Sequence, residues 1–229
     1  ARDVTVRGFT LRSHSIGLNV GAATSGFLVE DIDDAGTAMS GTGVGVAGNN
    51  QIFRDIKVRH RTTGLRVNNP TTNSQFSDLD IEATRWALSS VAASPTNTYS
   101  NLALDYNHVA IGMTGAIGTS VANPYIFDGD AMGALSFVGN NYTLSVDGST
   151  RAVSFRNLEL PGIVYGANSD WTTTDLSFIN VDVSRGAGTG KLWCGNNAWG
   201  GTGLQAAGLR PHIEDVTSLG RTTAVWLEP

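Results

Sequence analysis

In FRDIKV, at 53–58, apolar and polar residues alternate with period two, which puts Ile56 and Val58 inward and Lys57 and Arg59 outward on a short strand. The stretch begins a pattern that recurs: an apolar residue, any residue, Asp or Asn, then an aliphatic. It appears as VEDI at 29, FRDI at 53, FSDL at 76, YSNL at 99, FRNL at 155, FINV at 178 and IEDV at 213, and VRGF at 6 fits with glycine third. Successive starts at 6, 29, 53, 76 and 99 are 23 to 24 residues apart. A period of that size marks a solenoid, because each unit is one turn of a larger coil. A second apolar segment follows about ten residues into most units: GLNV at 17, GVGV at 43, GLRV at 64, AIGM at 110, GIVY at 162 and AVWL at 224. Turn formers such as NNPTTNS and SPTNT separate the segments. Two or three short strands per unit, with no helix, exclude a βαβ repeat.

The third motif position holds Gly8, Asp31, Asp55, Asp78, Asn101, Asn157, Asn180 and Asp215. Gly, Asn and Asp share tolerance of left-handed backbone, so their exchange at one position predicts a turn between two short strands. A catalytic carboxylate would not alternate with Asn and Gly. Beyond the turn, two outward columns form ladders across coils: Thr10, Asp33, Lys57, Asp80, Ala103, and Arg12, Ala35, Arg59, Glu82, Asp105.

These repeats, over about four fifths of the chain, resemble the right-handed parallel β-helix of the pectin-lyase-like kind, with coils of about 23 residues. The resemblance implies an all-β solenoid of nine or ten coils, roughly 45 Å long at about 4.8 Å per coil. One β-helix domain over 1–229 is expected. The register slips over 121–154 and over 184–212, and insertions in a solenoid project as loops that often bind ligands. Both ends read as uncapped strands, so the chain is expected to be a piece of a longer one, its edges covered by further residues or a partner.

Composition fits this picture: 28 glycines, 15% charged residues and a net charge of −5 in 229 residues. The balance argues against sequence-independent nucleic-acid binding, which needs basic clusters. No apolar run is long enough to span a membrane. The single cysteine, Cys194, excludes an intrachain disulfide and cannot by itself make a cysteine-based metal site.

Several other motifs have a plainer reading. GVGVAG at 43–48 matches a dinucleotide fingerprint but precedes a turn and a strand instead of a helix. NYT at 141 formally matches a glycosylation acceptor. His14, His60, His108 and His212 lack ligand spacing and read as solvated or turn residues. DIDD at 31–34 leaves Asp33 and Asp34 as a thin calcium reading, since Asp31 belongs to the turn column; no metal and no cofactor is expected.

One enzymatic cluster remains. Asp80 and Glu82 lie two residues apart on a strand, about 6.5 to 7 Å, and Asp105 falls one rung from Glu82. Two carboxylates so spaced suit an inverting glycosidase. The plainer reading is a solvated face of alternating charge, each pair contributing at most about 1 kcal/mol. Arg59 and the exposed aromatics Trp86, Trp193 and Trp199 are candidate glycan-binding residues. The NTD, GHG and RIK signatures of polygalacturonase relatives are absent, and their DD occurs only as Asp33–Asp34 within DIDD. The resemblance therefore implies first a tailspike or tail-fibre shaft of a bacteriophage: extracellular on the virion, trimeric, contacting bacterial surface polysaccharide and other tail proteins. A polysaccharide-degrading glycosidase or lyase on the same fold is the alternative, because fold alone does not fix function.

Overall fold

A computed structural model describes residues 1–12, 14–37, 39–90, 96–115, 122, 124–148, 150–186 and 201–228. The chain enters at β1 (Thr5–Arg12) and turns into β2 (Ile16–Val20). Four coils repeat that pair: β3 (Leu28–Ala35) with β4 (Thr42–Asn49), β5 (Ile52–Arg59) with β6 (Thr63–Thr72), β7 (Gln75–Glu82) with β8 (Trp86–Ser90), and β9 (Thr98–Asp105) with β10 (Val109–Thr114). The next coil is divided into β11 (Tyr125–Asp128), a 3-10 helix at Gly129–Ala131, β12 (Leu135–Ser136) and β13 (Tyr142–Asp147). Three further pairs follow: β14 (Arg151–Glu159) with β15 (Tyr165–Ser169), β16 (Thr174–Asp182) with β17 (Thr202–Ala206), and β18 (His212–Thr217) with β19 (Thr223–Leu227).

The first strands of each coil stack in parallel, as do the second strands, so the protein is a parallel β-solenoid. Nine second strands form one continuous sheet, giving about eight turns. At about 4.8 Å per rung the stack is roughly 38 Å long. That is shorter than the bare period predicts, because residues 183–201 separate β16 from β17 and an extra turn divides the sixth coil.

The register follows the sequence ladders. Thr10 pairs with Asp33, then Lys57, Asp80 and Ala103, while Arg12 leads through Ala35, Arg59 and Glu82 to Asp105. The motif's third position is left-handed throughout, with φ of 56° at Asp31, 53° at Asp55, 54° at Asp78, 51° at Asn101, Asn157 and Asn180, and 50° at Asp215. Gly8 has φ 71°. Asp55→Gly is accordingly expected to change the melting midpoint little, whereas Asp55→Val costs about 1–2 kcal/mol through Cβ strain. Equal effects from the two substitutions in thermal melts would overturn this account.

Between the sheets, aromatic rings run in one column: Phe53, Phe76, Tyr99, Phe127, Phe155 and Phe178, with neighbouring centroids 5.1 to 6.2 Å apart. Phe127 carries the column through the coil that the motif misses. Opposite it, the second sheet brings small residues inward. A Cβ on Gly64 would lie 2.4 Å from Ile81 Cγ2, so the two sheets close to van der Waals contact there. The same rule corrects one reading of the sequence. GIVY at 162 is not a second strand; Ile163 is buried at the corner and YGANS, with Gly166 at the small position, forms β15. Corners are sealed by buried amides: Asn107 Oδ1 accepts from the backbone and hydroxyl of Thr84, and Asn140 Oδ1 accepts from the Asn107 N–H. These bonds satisfy backbone groups that a tight corner removes from the ladder.

The divided coil interrupts the first stack. β12 pairs with β9, whereas β11 pairs with β14, so two sheets meet at the 3-10 helix while the nine-stranded sheet opposite runs through unbroken. Residues 121–154, where the motif fails, thus contain β11, the helix, β12, β13 and the start of β14. Of 184–212, residues 187–200 lie outside the described residues.

Candidate functional site

The first sheet presents the charge ladder. Arg12 and Arg59 each approach Asp33 at 3.1 Å, and Arg59 Nε lies 3.9 Å from Glu82. The hydrogen bond from Arg12 holds Asp33 below the usual carboxylate range, with Arg59 adding to the effect and burial opposing it. Asp80 is exposed opposite Lys57. Asp105 is engaged elsewhere: its oxygens accept from the Ser136 hydroxyl at 2.9 and 3.0 Å, and one also accepts from the Val138 N–H at 2.8 Å. Of the three carboxylates, Asp80 and Glu82 face solvent while Asp105 ties β9 to the divided coil. Arg59 and Glu82 are paired across coils, as alternating charge on a solvated sheet requires.

DIDD resolves differently. Asp34 is an inward residue in the column of Leu11, Val58, Ile81 and Leu104, and it is fully buried. Its partner is Arg61, 27 residues on and equally buried, whose Nε donates to Asp34 Oδ2 at 2.9 Å and whose second nitrogen meets Oδ1 at 2.5 Å. A third nitrogen donates to the His14 carbonyl. Asp34 is bound to a guanidinium and Asp33 to two, which leaves the calcium reading without ligands. Among the described residues no three His, Cys, Asp or Glu side chains are grouped to hold a metal.

Trp86 begins β8 and belongs to the second sheet, on a different face from Arg59 and Glu82. Its side chain lies outward across the next coil: a Cβ on Gly112 would come within 2.5 Å of Trp86 Cε3. Glycine at 112 is what lets the indole lie against the sheet. Farther along the same edge Tyr142 stacks on Tyr165, with centroids 5.2 Å apart and rings 16° from parallel, and His108 meets Tyr142 edge-on. All four rings are partly exposed. Register aligns Trp86 with Val109, Tyr142 and Tyr165, so the aromatic edge spans three rungs, about 14 Å. Burial lowers the pKa of His108, and the charge of Arg85 adds to the shift, so the ring is neutral near pH 7. Asn141 donates to His108 Nδ1 at 3.1 Å and is itself buried, which removes NYT from the surface.

Beside this edge runs a column of polar and small residues, Arg66, Ser89, Gly112, Ser145, Asn168 and Gln205. Strands β2, β4, β6, β8, β10, β15, β17 and β19 contain no Asp or Glu. β13 contributes Asp147, which accepts from the Thr114 hydroxyl. In a chain of net charge −5 this sheet is nearly free of acid. GVGVAG lies within it as β4, followed by β5, so no helix terminus exists there for a phosphate.

The Tyr142 and Tyr165 pair was not among the sequence candidates, although 23 residues separate them at equivalent positions of YTLSV and YGANS. Trp171, 77% exposed, and Trp226, 47% exposed, were also missed. Trp193, Trp199 and Cys194 lie outside the described residues. A further groove, of about 390 Å³, opens beside the divided coil between β12 and β14, with Asp130, Asn157 and Glu159 in its wall. It adjoins a smaller one that adds Asp182, whose carboxylate accepts from the Ser184 N–H. No protein-family model, no curated protein and no solved structure matches this chain.

Proposed function

We propose that this chain is a glycan-binding solenoid: a structural and receptor-binding shaft of the pectin-lyase-like, phage tailspike or tail-fibre kind. On this reading it acts on an extracellular virion as a homotrimer joined to other tail proteins, and contacts bacterial surface polysaccharide. The observation that carries the reading is the Trp86 indole packed over Gly112 on an acid-poor sheet, in line with Tyr142 and Tyr165. Partly exposed aromatic rings beside a column of Ser, Asn and Gln match the two sides of a pyranose, one apolar and one carrying hydroxyls.

Titration of the protein with capsular or O-antigen polysaccharides tests this. Wild type is expected to bind at least one of them, and Trp86→Ala to weaken that binding about tenfold or more, as loss of an aromatic anchor does. The circular dichroism spectrum of the variant should be unchanged. Failure of Trp86→Ala to alter affinity would remove the platform from the account. The alternative, a depolymerase, draws on the groove walled by Asp130 and Glu159. New reducing ends or ultraviolet-absorbing unsaturated products, abolished in Glu159→Gln or Glu82→Gln, would replace the binding reading with the enzymatic one.

A further inference from the structure

The charges around Trp86 have one sign. Arg66, on β6, pairs with Ser89, and Ser89 pairs with Gly112, so a single outward column places a guanidinium, a hydroxyl and the glycine beneath the indole on three successive rungs. Arg85 immediately precedes Trp86. Both arginines are exposed, and neither side chain forms an ion pair or hydrogen bond among the described residues. Elsewhere Arg12, Arg54, Arg59, Arg61 and Arg210 each hold a carboxylate. The acid that would neutralise Arg66 and Arg85 is missing from strands β6, β8 and β10.

We infer that the Trp86 platform takes an acidic sugar unit, seated over Ser89 with its apolar face on the indole and its carboxylate between Arg66 and Arg85. The inference rests on the glycan-binding reading above and sharpens its substrate class. Guanidinium groups recognise a carboxylate with paired N–H donors, and two unneutralised ones on an acid-poor face set a local positive field in a negatively charged protein. The aromatic edge continues to Tyr142 and Tyr165, so the acidic unit lies within a polymer running along the solenoid axis across strands. Nucleic acid would use the same stacking and cations, but the remaining floor of Ser145, Asn168 and Gln205 offers hydroxyl and amide partners and no further cation for successive phosphates.

Titration of the whole chain with alginate and hyaluronan as acidic polymers, with dextran and galactomannan as neutral ones, and with single-stranded DNA tests this. The acidic polymers are expected to bind about tenfold more tightly at low salt, the preference shrinking as NaCl is raised. Arg66→Gln and Arg85→Gln should each reduce the preference about threefold and leave neutral binding unchanged. Trp86→Ala should weaken acidic and neutral binding alike. Equal or tighter binding of neutral polymers, or an acidic preference untouched by both arginine variants, overturns the inference while the platform stands. Loss of all polymer binding in wild type overturns both, and tighter binding of DNA than of alginate overturns the glycan assignment.

Discussion

Asp34→Ala is expected to destabilise the solenoid by about 3–5 kcal/mol, because it strands the Arg61 guanidinium without its counter-charge in a dry interior. Asp34 replaces an aliphatic in the inward column, and its carboxylate fits there because two residues opposite have no side chain. A Cβ on Gly17 would lie 2.7 Å from Asp34 Oδ2, and one on Gly43 would lie 3.0 Å from it. Arg61 fills the adjoining corner, its Cδ 2.9 Å from where a Cβ on Gly36 would sit. Two charges, three glycines and the His14 carbonyl thus interlock the first coils. Removing both charges leaves nothing unpaired: the double variant Asp34→Leu, Arg61→Met should recover most of the loss, since a buried pair contributes little net stability over apolar side chains of similar volume. Urea midpoints of the two single variants and the double variant decide the matter. A loss below about 1 kcal/mol in Asp34→Ala would mean that the interior is hydrated there and Arg61 is solvated without its partner.

The repeat explains which features were legible beforehand. A parallel solenoid locks residue i to a residue one coil later, so a column written along the sequence is also a column in space. The turn column at Asp31, Asp55 and Asp78 and the ladder from Arg12 to Asp105 follow from that rule alone. Asp34 was misread because its composition outweighed its position: alternation from Ile32 points it inward, yet a carboxylate beside Asp33 suggests a surface pair. Only the buried partner 27 residues away reverses that, and Arg61 stands outside every motif. Trp86 stands with Arg59 among the glycan-binding candidates, and Glu82 on the rung next to Arg59 is only four residues from it, but the corner at Ala83, with φ 52°, carries the chain from one sheet to the other. Proximity in sequence is a poor guide across a corner. The divided coil escaped for a related reason: Phe127 and Leu135 serve one rung but are separated by the 3-10 turn, which breaks the four-residue motif while preserving the aromatic column.

That column supports the second large effect. Phe76→Ala should cost about 3–5 kcal/mol, the range for deleting a fully buried ring. Phe76 is 1% exposed and stacks at 5.5 Å on Phe53 and 5.1 Å on Tyr99, so its loss opens a void between two neighbouring coils at once. Because each coil rests only on its neighbours, the cavity cannot be closed by rearrangement elsewhere in the stack. Tyr99, the next ring, carries a hydroxyl that is buried with no hydrogen-bond partner among the described residues, and burial raises its pKa far above the usual phenol value. Removing that oxygen while keeping the ring should therefore have the opposite sign. Tyr99→Phe is expected to be neutral or to stabilise by up to about 1 kcal/mol, since it relieves an unsatisfied polar group without opening a cavity. Chemical denaturation of the two variants separates ring packing from hydroxyl burial in one column. If Tyr99→Phe instead cost more than about 1 kcal/mol, the hydroxyl would have to be bound by an internal water, and the space beside Tyr99 and Tyr125 where β9 and β11 part would be a hydrated polar site within the solenoid.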